Sequence, residues 1–156
     1  MPRSFLSLDS AVLFLAQGFG TGRSKFAPGT IGTLVGLPLI WLLSSASPSI
    51  AVGFVFGFGL LSVWIAGRAS RNLGSEDDAS IVIDEIAGFL VAMVLVPLTV
   101  WTALAGFVIF RLLDILKPFP IGWLERRVKG GAGIVADDVA AGVLTNILLQ
   151  VGILWL

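Results

Sequence analysis

Five carboxylates stand in segments otherwise almost free of polar side chains: Asp84 and Glu85 in "SIVIDEIAGFL", Asp114 in "GFVIFRLLDILK", and Asp137 and Asp138 in "IVADDVAAG". Carboxylates drawn together repel one another unless protons or a cation intervene. The chain has no histidine and no cysteine, so nitrogen and sulfur ligands are excluded. An oxygen-only set selects a hard ion, Mg2+ first and Mn2+ or Ca2+ after it. Magnesium retains waters and favours phosphate oxygens as further ligands. Arg111 and Lys117 lie close to Asp114 in sequence and suit an anion held beside that metal. The pattern predicts phosphate chemistry at a single metal site.

A plainer origin for such charges is the helix macrodipole, which favours acids at N-termini and bases at C-termini. It accounts for Lys117 and for Asp137 as a capping acid. It does not account for Asp114, an acid near the C-terminal end of its helix. Ionisable groups at shallow membrane depth are functional candidates by default. Spacing points the same way: Arg111 and Asp114 are three apart and share a helix face, while Asp84 and Asp138 each have a glycine four residues on, Gly88 and Gly142. A small residue beside an acid lets two helices approach and brings their carboxylates together.

The elements that must position these groups follow from composition. With 56% hydrophobic and 13% charged residues and a mean hydropathy of +0.99, the chain has too little polar surface to clothe a soluble domain. It reads as an all-α, polytopic integral membrane protein forming one domain over residues 1–156. Net charge is zero, which provides no basic field for a nucleic-acid partner. No charge occurs over residues 26–67, 86–110 or 139–156. Splitting the first gap at "SSASPS" and the second at "PLTVW" predicts helices over about 30–43, 50–67, 81–96 and 100–116, with a last one from about 136 to the C-terminus. Five spans result. The preceding "FLSLDSAVLFLAQGFG" is too short and interrupted to span and predicts an interfacial or re-entrant helix, with no signal-peptide cleavage pattern.

Both uncharged turns must then share one side of the membrane. Arg3, Arg23, Lys25, Arg68, Arg71, Lys117, Arg126, Arg127 and Lys129 share the other, the cytoplasmic side by the positive-inside rule. The acids fall there too, within about two turns of the helix ends, with Glu76, Asp77 and Asp78 assigned to a hydrophilic loop. In "APGTIGT", Pro28 and Gly29 make a turn after which Thr30 can cap a helix whose free N–H groups hold phosphate, or simply begin a helix. Gly130, Gly131 and Gly133 either let a loop turn tightly or clear space beside a headgroup.

Taken in order, "APGTIGT", "SIVIDEIAG", "GFVIFRLLDILKPFPI" and "GGAGIVADDVAAG" resemble the motifs of the bacterial phosphatidylglycerophosphatase A family, over about residues 18–142. The resemblance implies a Mg2+-dependent, multi-pass enzyme of the bacterial inner membrane, its site facing the cytoplasm. The substrate it implies is the phospholipid phosphatidylglycerophosphate, hydrolysed to phosphatidylglycerol and phosphate. It places catalytic and metal-binding roles on Asp84, Glu85, Asp114, Asp137 and Asp138. The family's basic positions fall on Arg111 and Lys117 and its Pro-Gly-Thr on Pro28, Gly29 and Thr30; with the nearby Lys25, phosphate binding is expected at Arg111, Lys117, Thr30, Gly29 and Lys25. Attack by activated water and an aspartyl-phosphate route both stay open, and a homo-oligomer is compatible with the sequence.

Two other classes share some of these features. A CDP-alcohol phosphatidyltransferase also carries acids on membrane helices, but its Asp-Gly-x2-Ala-Arg string is missing. A cation transporter would need polar groups continuing toward the far side, and the outer halves of these segments are almost wholly apolar. Phosphatases that rely on histidine or cysteine are excluded by composition.

Overall fold

A computed structural model describes residues 8–75 and 78–155 of the chain. Arg3, Glu76 and Asp77 therefore lie outside the described residues. All regular structure among the rest is helical: α1 (Leu8–Ala16), a 3-10 turn (Thr21–Arg23), α2 (Pro28–Leu43), α3 (Pro48–Leu73), α4 (Ile83–Met93), α5 (Val100–Leu116), α6 (Ile121–Arg127) and α7 (Gly130–Leu154).

Helix α4 is the axis of the bundle. It is apolar on every side after its first turn, so it has no face to give to solvent; Ile86, Phe89, Leu90, Ala92 and Met93 are all buried. Helices α2, α3, α5 and α7 pack around it. Glycine makes two of these approaches close. On α2, Gly29, Gly32 and Gly36 face α4, where a side chain at Gly32 would collide with Val82 and one at Gly36 would crowd Phe89. Where α4 crosses α7, a Cβ on Gly88 would stand 2.6 Å from the Asp138 carbonyl oxygen, and one on Gly142 would strike the Gly88 carbonyl. The two glycines predicted to admit close approach therefore form the crossing itself.

Helix ends are set by local chemistry. Pro48 opens α3 and Gly74, at φ +72°, closes it. Thr99 and Thr102 form a reciprocal capping box on α5. Helix α4 stops inside the bundle, which would leave its last carbonyls without donors. Two polar residues of α7 supply them: Asn146 Nδ2 donates to the carbonyls of Val91, Ala92 and Val94 at 3.2, 3.0 and 2.8 Å, and Gln150 Nε2 to Leu95 at 3.2 Å. Irregular backbone inside an apolar bundle is tolerated only where protein groups satisfy it. Asn146→Leu should consequently lower stability by about 1–3 kcal/mol, the cost of orphaned buried carbonyls. A thermal midpoint in detergent unchanged from the parent protein would contradict this role.

Several expected boundaries differ. Helix α7 starts at Gly130 rather than near residue 136, so Asp137 lies two turns inside it and is not a cap. The glycines of "KGGAGIV" are helical as well, and a Cβ on Gly131 would strike the Val63 carbonyl of α3. Gly131 thus seats α7 on α3, while a Cβ on Gly133 would meet the Val128 carbonyl just before α7 and Gly130 faces open space. Helix α6 was not expected. Of the five predicted spans, α3 and α7, with 26 and 25 residues, are long and apolar enough to cross a membrane; α2, α4 and α5 fall short of the ~20 residues a hydrocarbon core requires. The N-terminal segment forms a nine-residue helix, α1, on the flank of α3, tied by an Arg68–Asp9 ion pair of 2.9 Å.

Candidate active site

The first turn of α2, the loop before α4, the C-terminal end of α5 and the second turn of α7 meet around a cavity of about 280 Å3. All five predicted acids line it, together with Arg111, Lys117 and Gly29. Asp84 and Glu85 enter because α4 begins at Ile83 in the middle of the bundle, and Asp137 and Asp138 because the Gly88–Gly142 crossing presses α7 onto that turn.

The cations are already partnered. Arg111 Nη1 donates to Asp114 Oδ2 at 2.6 Å and stands 3.7 Å from Glu85 Oε1, with both acids mostly buried. Lys117 Nζ donates to Asp137 Oδ2 at 2.8 Å and to Glu125 Oε1 of α6 at 2.5 Å. Burial pulls the Lys117 ammonium down, but these two acceptors outweigh it and hold the group above the ordinary lysine range. Lys117 and Ala27, which both line the cavity, take left-handed backbone conformations, at φ +46° and +42°. Non-glycine residues held this way cost of order 1 kcal/mol each and cluster at functional sites.

Gly29 has no room for a side chain: a Cβ would overlap the Glu85 carboxylate and lie 3.2 Å from Arg111 Nη2. The glycine is what lets α2 close over the acids. The expectation for Thr30 is corrected. Helix α2 begins at Pro28 with Ala27 as its N-cap and no side-chain cap, so Thr30 is in the third helical position and caps nothing. Neither Thr30 nor the exposed Lys25 lines the cavity.

Two acids were missed in the sequence. Asp78, assigned to a loop, lines the cavity, and its Oδ1 accepts from Ser80 Oγ at 2.6 Å and Ser80 N at 2.9 Å. The hydroxyl and the amide hold its carboxyl below the usual range. The available signal was the Asp-x-Ser turn in "DDASIV". Ser80 also accepts from Gln17, whose carbonyl oxygen takes Arg23 Nε at 2.7 Å, so the glycine-rich segment is pinned to this loop. Glu125 becomes legible only once α6 folds beside Lys117.

Asp84 Oδ1, Glu85 Oε2 and Asp138 Oδ1 are buried with no donor among the described residues, and Arg111 Nε is buried with no acceptor. Asp138 is near enough to Asp84 and Asp114 to feel both charges. Among the described residues no three acids stand in a closed metal-ligand cluster. Carboxylate oxygens without donors and a guanidinium N–H without an acceptor, all from residues lining one cavity, fit a hard cation beside an anion.

The profile of the family described as Phosphatidylglycerophosphatase A matches residues 14–153. A protein named Phosphatidylglycerophosphatase A from Escherichia coli (strain K12) is 38% identical over 98% of this chain and 90% of its own length. One of the same name from Haemophilus influenzae is 37% identical over 95% of this chain and 92% of its own length. No solved structure matches the chain. With a cavity that gathers the acids of all its motifs, and with similarity running almost end to end, the chain belongs to the phosphatidylglycerophosphatase A family.

Proposed function

We propose that the chain is a lipid phosphatase that hydrolyses phosphatidylglycerophosphate to phosphatidylglycerol and inorganic phosphate, with Mg2+ as its ion. The observation that carries this is the single cavity uniting five motif carboxylates with Arg111 and Lys117. Asp84, Glu85 and Asp138, through their donor-free oxygens, with Asp114 and the remaining oxygen of Asp137, would hold the ion. The chemistry an ion held there would supply is neutralisation of phosphate charge and activation of a water as nucleophile. Arg111 offers its unpaired Nε–H, and Lys117 the N–H left over from Asp137 and Glu125, to phosphate oxygens. Water attacks phosphorus in line, the bond from phosphorus to the glycerol oxygen breaks, and the proton lost by water is matched by the one the departing alcohol takes up. Purified protein should release phosphate from phosphatidylglycerophosphate micelles and stop when a chelator is added. Release undiminished by chelator removes the metal from the reading; no release in Mg2+ removes the activity.

Roles for the cations separate in kinetics. Lys117→Ala should raise KM for the lipid by roughly tenfold while Mg2+ titrates as in the parent, and Arg111→Lys should also lose activity, since an ammonium cannot reproduce the guanidinium fork. A Lys117→Ala protein with unchanged KM would refute its assignment.

The reading extends to a membrane topology of five alternating passes with the site on the cytoplasmic side. The two uncharged turns line one cavity at the end of the bundle away from the acids. All five tryptophans are exposed, Trp41, Trp101 and Trp155 toward that end and Trp64 and Trp123 toward the acids, like two interfacial belts. Large apolar side chains such as Phe56, Leu60, Leu104, Val108 and Leu148 cover the outside between them. Helices shorter than a hydrocarbon core are accommodated by local thinning of the bilayer. In intact cells an impermeant thiol reagent should label Ser47→Cys and leave Arg127→Cys untouched; the reverse pattern inverts the topology.

A further inference from the structure

A second polar cavity, of about 300 Å3, adjoins the first and shares Asp78, Asp84, Lys117 and Asp137 with it. The residues that line only this second cavity differ in character. Arg126 and Lys129 are among them, and neither forms an ion pair with a described carboxylate. Glu125, the acid beside them, is taken up by Lys117. Gly130, at φ +68°, has open space where a side chain would stand. Across the two adjoining spaces the lining therefore passes from carboxylates, through the shared Lys117, to unpaired cations.

A substrate with one phosphate would need only the first cavity. Phosphatidylglycerophosphate carries two, a terminal monoester and, one glycerol away, the phosphodiester that joins the headgroup to the diacylglycerol. Resting on the phosphatase reading above, we infer that the second cavity holds this phosphodiester, with Arg126 and Lys129 as the residues that select a two-phosphate headgroup over a phosphatidic acid. The monoester then lies among the carboxylates while the diester is held by charge at the rim, where the side chains are exposed and the acyl chains can pass back to the bilayer.

The test uses the full chain and an Arg126→Gln, Lys129→Gln double variant in neutral detergent micelles at fixed lipid surface fraction. Phosphatidylglycerophosphate is the substrate. Phosphatidylglycerol, which keeps the diester and lacks the monoester, and phosphatidic acid, which has only the monoester, are the competitors. The double variant should raise KM for the substrate and the inhibition constant of phosphatidylglycerol by roughly tenfold, leaving kcat and the inhibition constant of phosphatidic acid within about twofold. Arg127→Gln, which removes one positive charge of the same helix end from a side chain stacked on Trp123, should change none of them. An unchanged KM overturns the inference. So does an equal loss for both competitors, which would mean general attraction to anionic lipid. If the parent protein releases no phosphate from the substrate at all, the phosphatase reading fails first and takes this one with it.

Discussion

Asp84→Asn and Asp138→Asn should each lower turnover by at least about a hundredfold while the protein stays folded. An amide matches the carboxylate in shape, so packing at the α4–α7 contact is conserved, but it removes a charge from oxygens that have no donor in the protein. Asp138 is 3% exposed and surrounded by other acids, so neutralising it relieves repulsion in a poorly solvated place and should not reduce stability. The control is Asp9→Asn, whose half-exposed ion pair with Arg68 is worth at most about 1 kcal/mol. Phosphate release and the thermal midpoint would be read on the same preparations. Losses of activity that track a falling midpoint, or that appear equally in Asp9→Asn, would show general damage and not a site.

Gly142→Ala should have the second largest effect, on both stability and activity. The added methyl would overlap the Gly88 carbonyl and stand 3.1 Å from both the Gly88 carbonyl carbon and Val91 Cβ. Backbone cannot swing aside as a side-chain tip can, so α4 and α7 must separate. Overpacking of this kind costs about 1–3 kcal/mol. The same displacement moves Asp84 and Glu85 away from Asp137 and Asp138, and a misplacement near 1 Å is worth roughly a hundredfold in rate. Gly53→Ala is the matched control, because nothing lies within 4 Å of its missing Cβ. Within α3 that change should be neutral or stabilising by up to about 1 kcal/mol. A Gly142→Ala protein as stable and active as the Gly53→Ala protein would show that the crossing does not position the acids.

Composition and charge placement determined a good part of this protein. An apolar chain with its charges gathered at intervals here folds as helices that pair their own backbone polar groups, and the charge-free gaps mark where the long ones run. The absence of histidine and cysteine left carboxylates as the main side chains that could hold a metal. The close approach at Gly88 and Gly142 was legible because small residues beside acids at a four-residue spacing have a direct packing meaning.

What the sequence could not give depended on contacts between segments distant along the chain. Thr30 resembled a cap until Pro28, with its fixed φ, began the helix two residues earlier. Lys25 shares the sign of Lys117 yet is exposed away from the cavity. Asp78 looked like one of three loop acids, and only the hydrogen bonds of Ser80 and Gln17 fold that loop against the site. Asn146 and Gln150 carried no signal, since their purpose is to satisfy carbonyls of a helix more than fifty residues earlier. Periodicity, composition and charge are local or summed properties and can be read along a chain. Which oxygen meets which nitrogen depends on how five helices cross, and tertiary packing alone decides that.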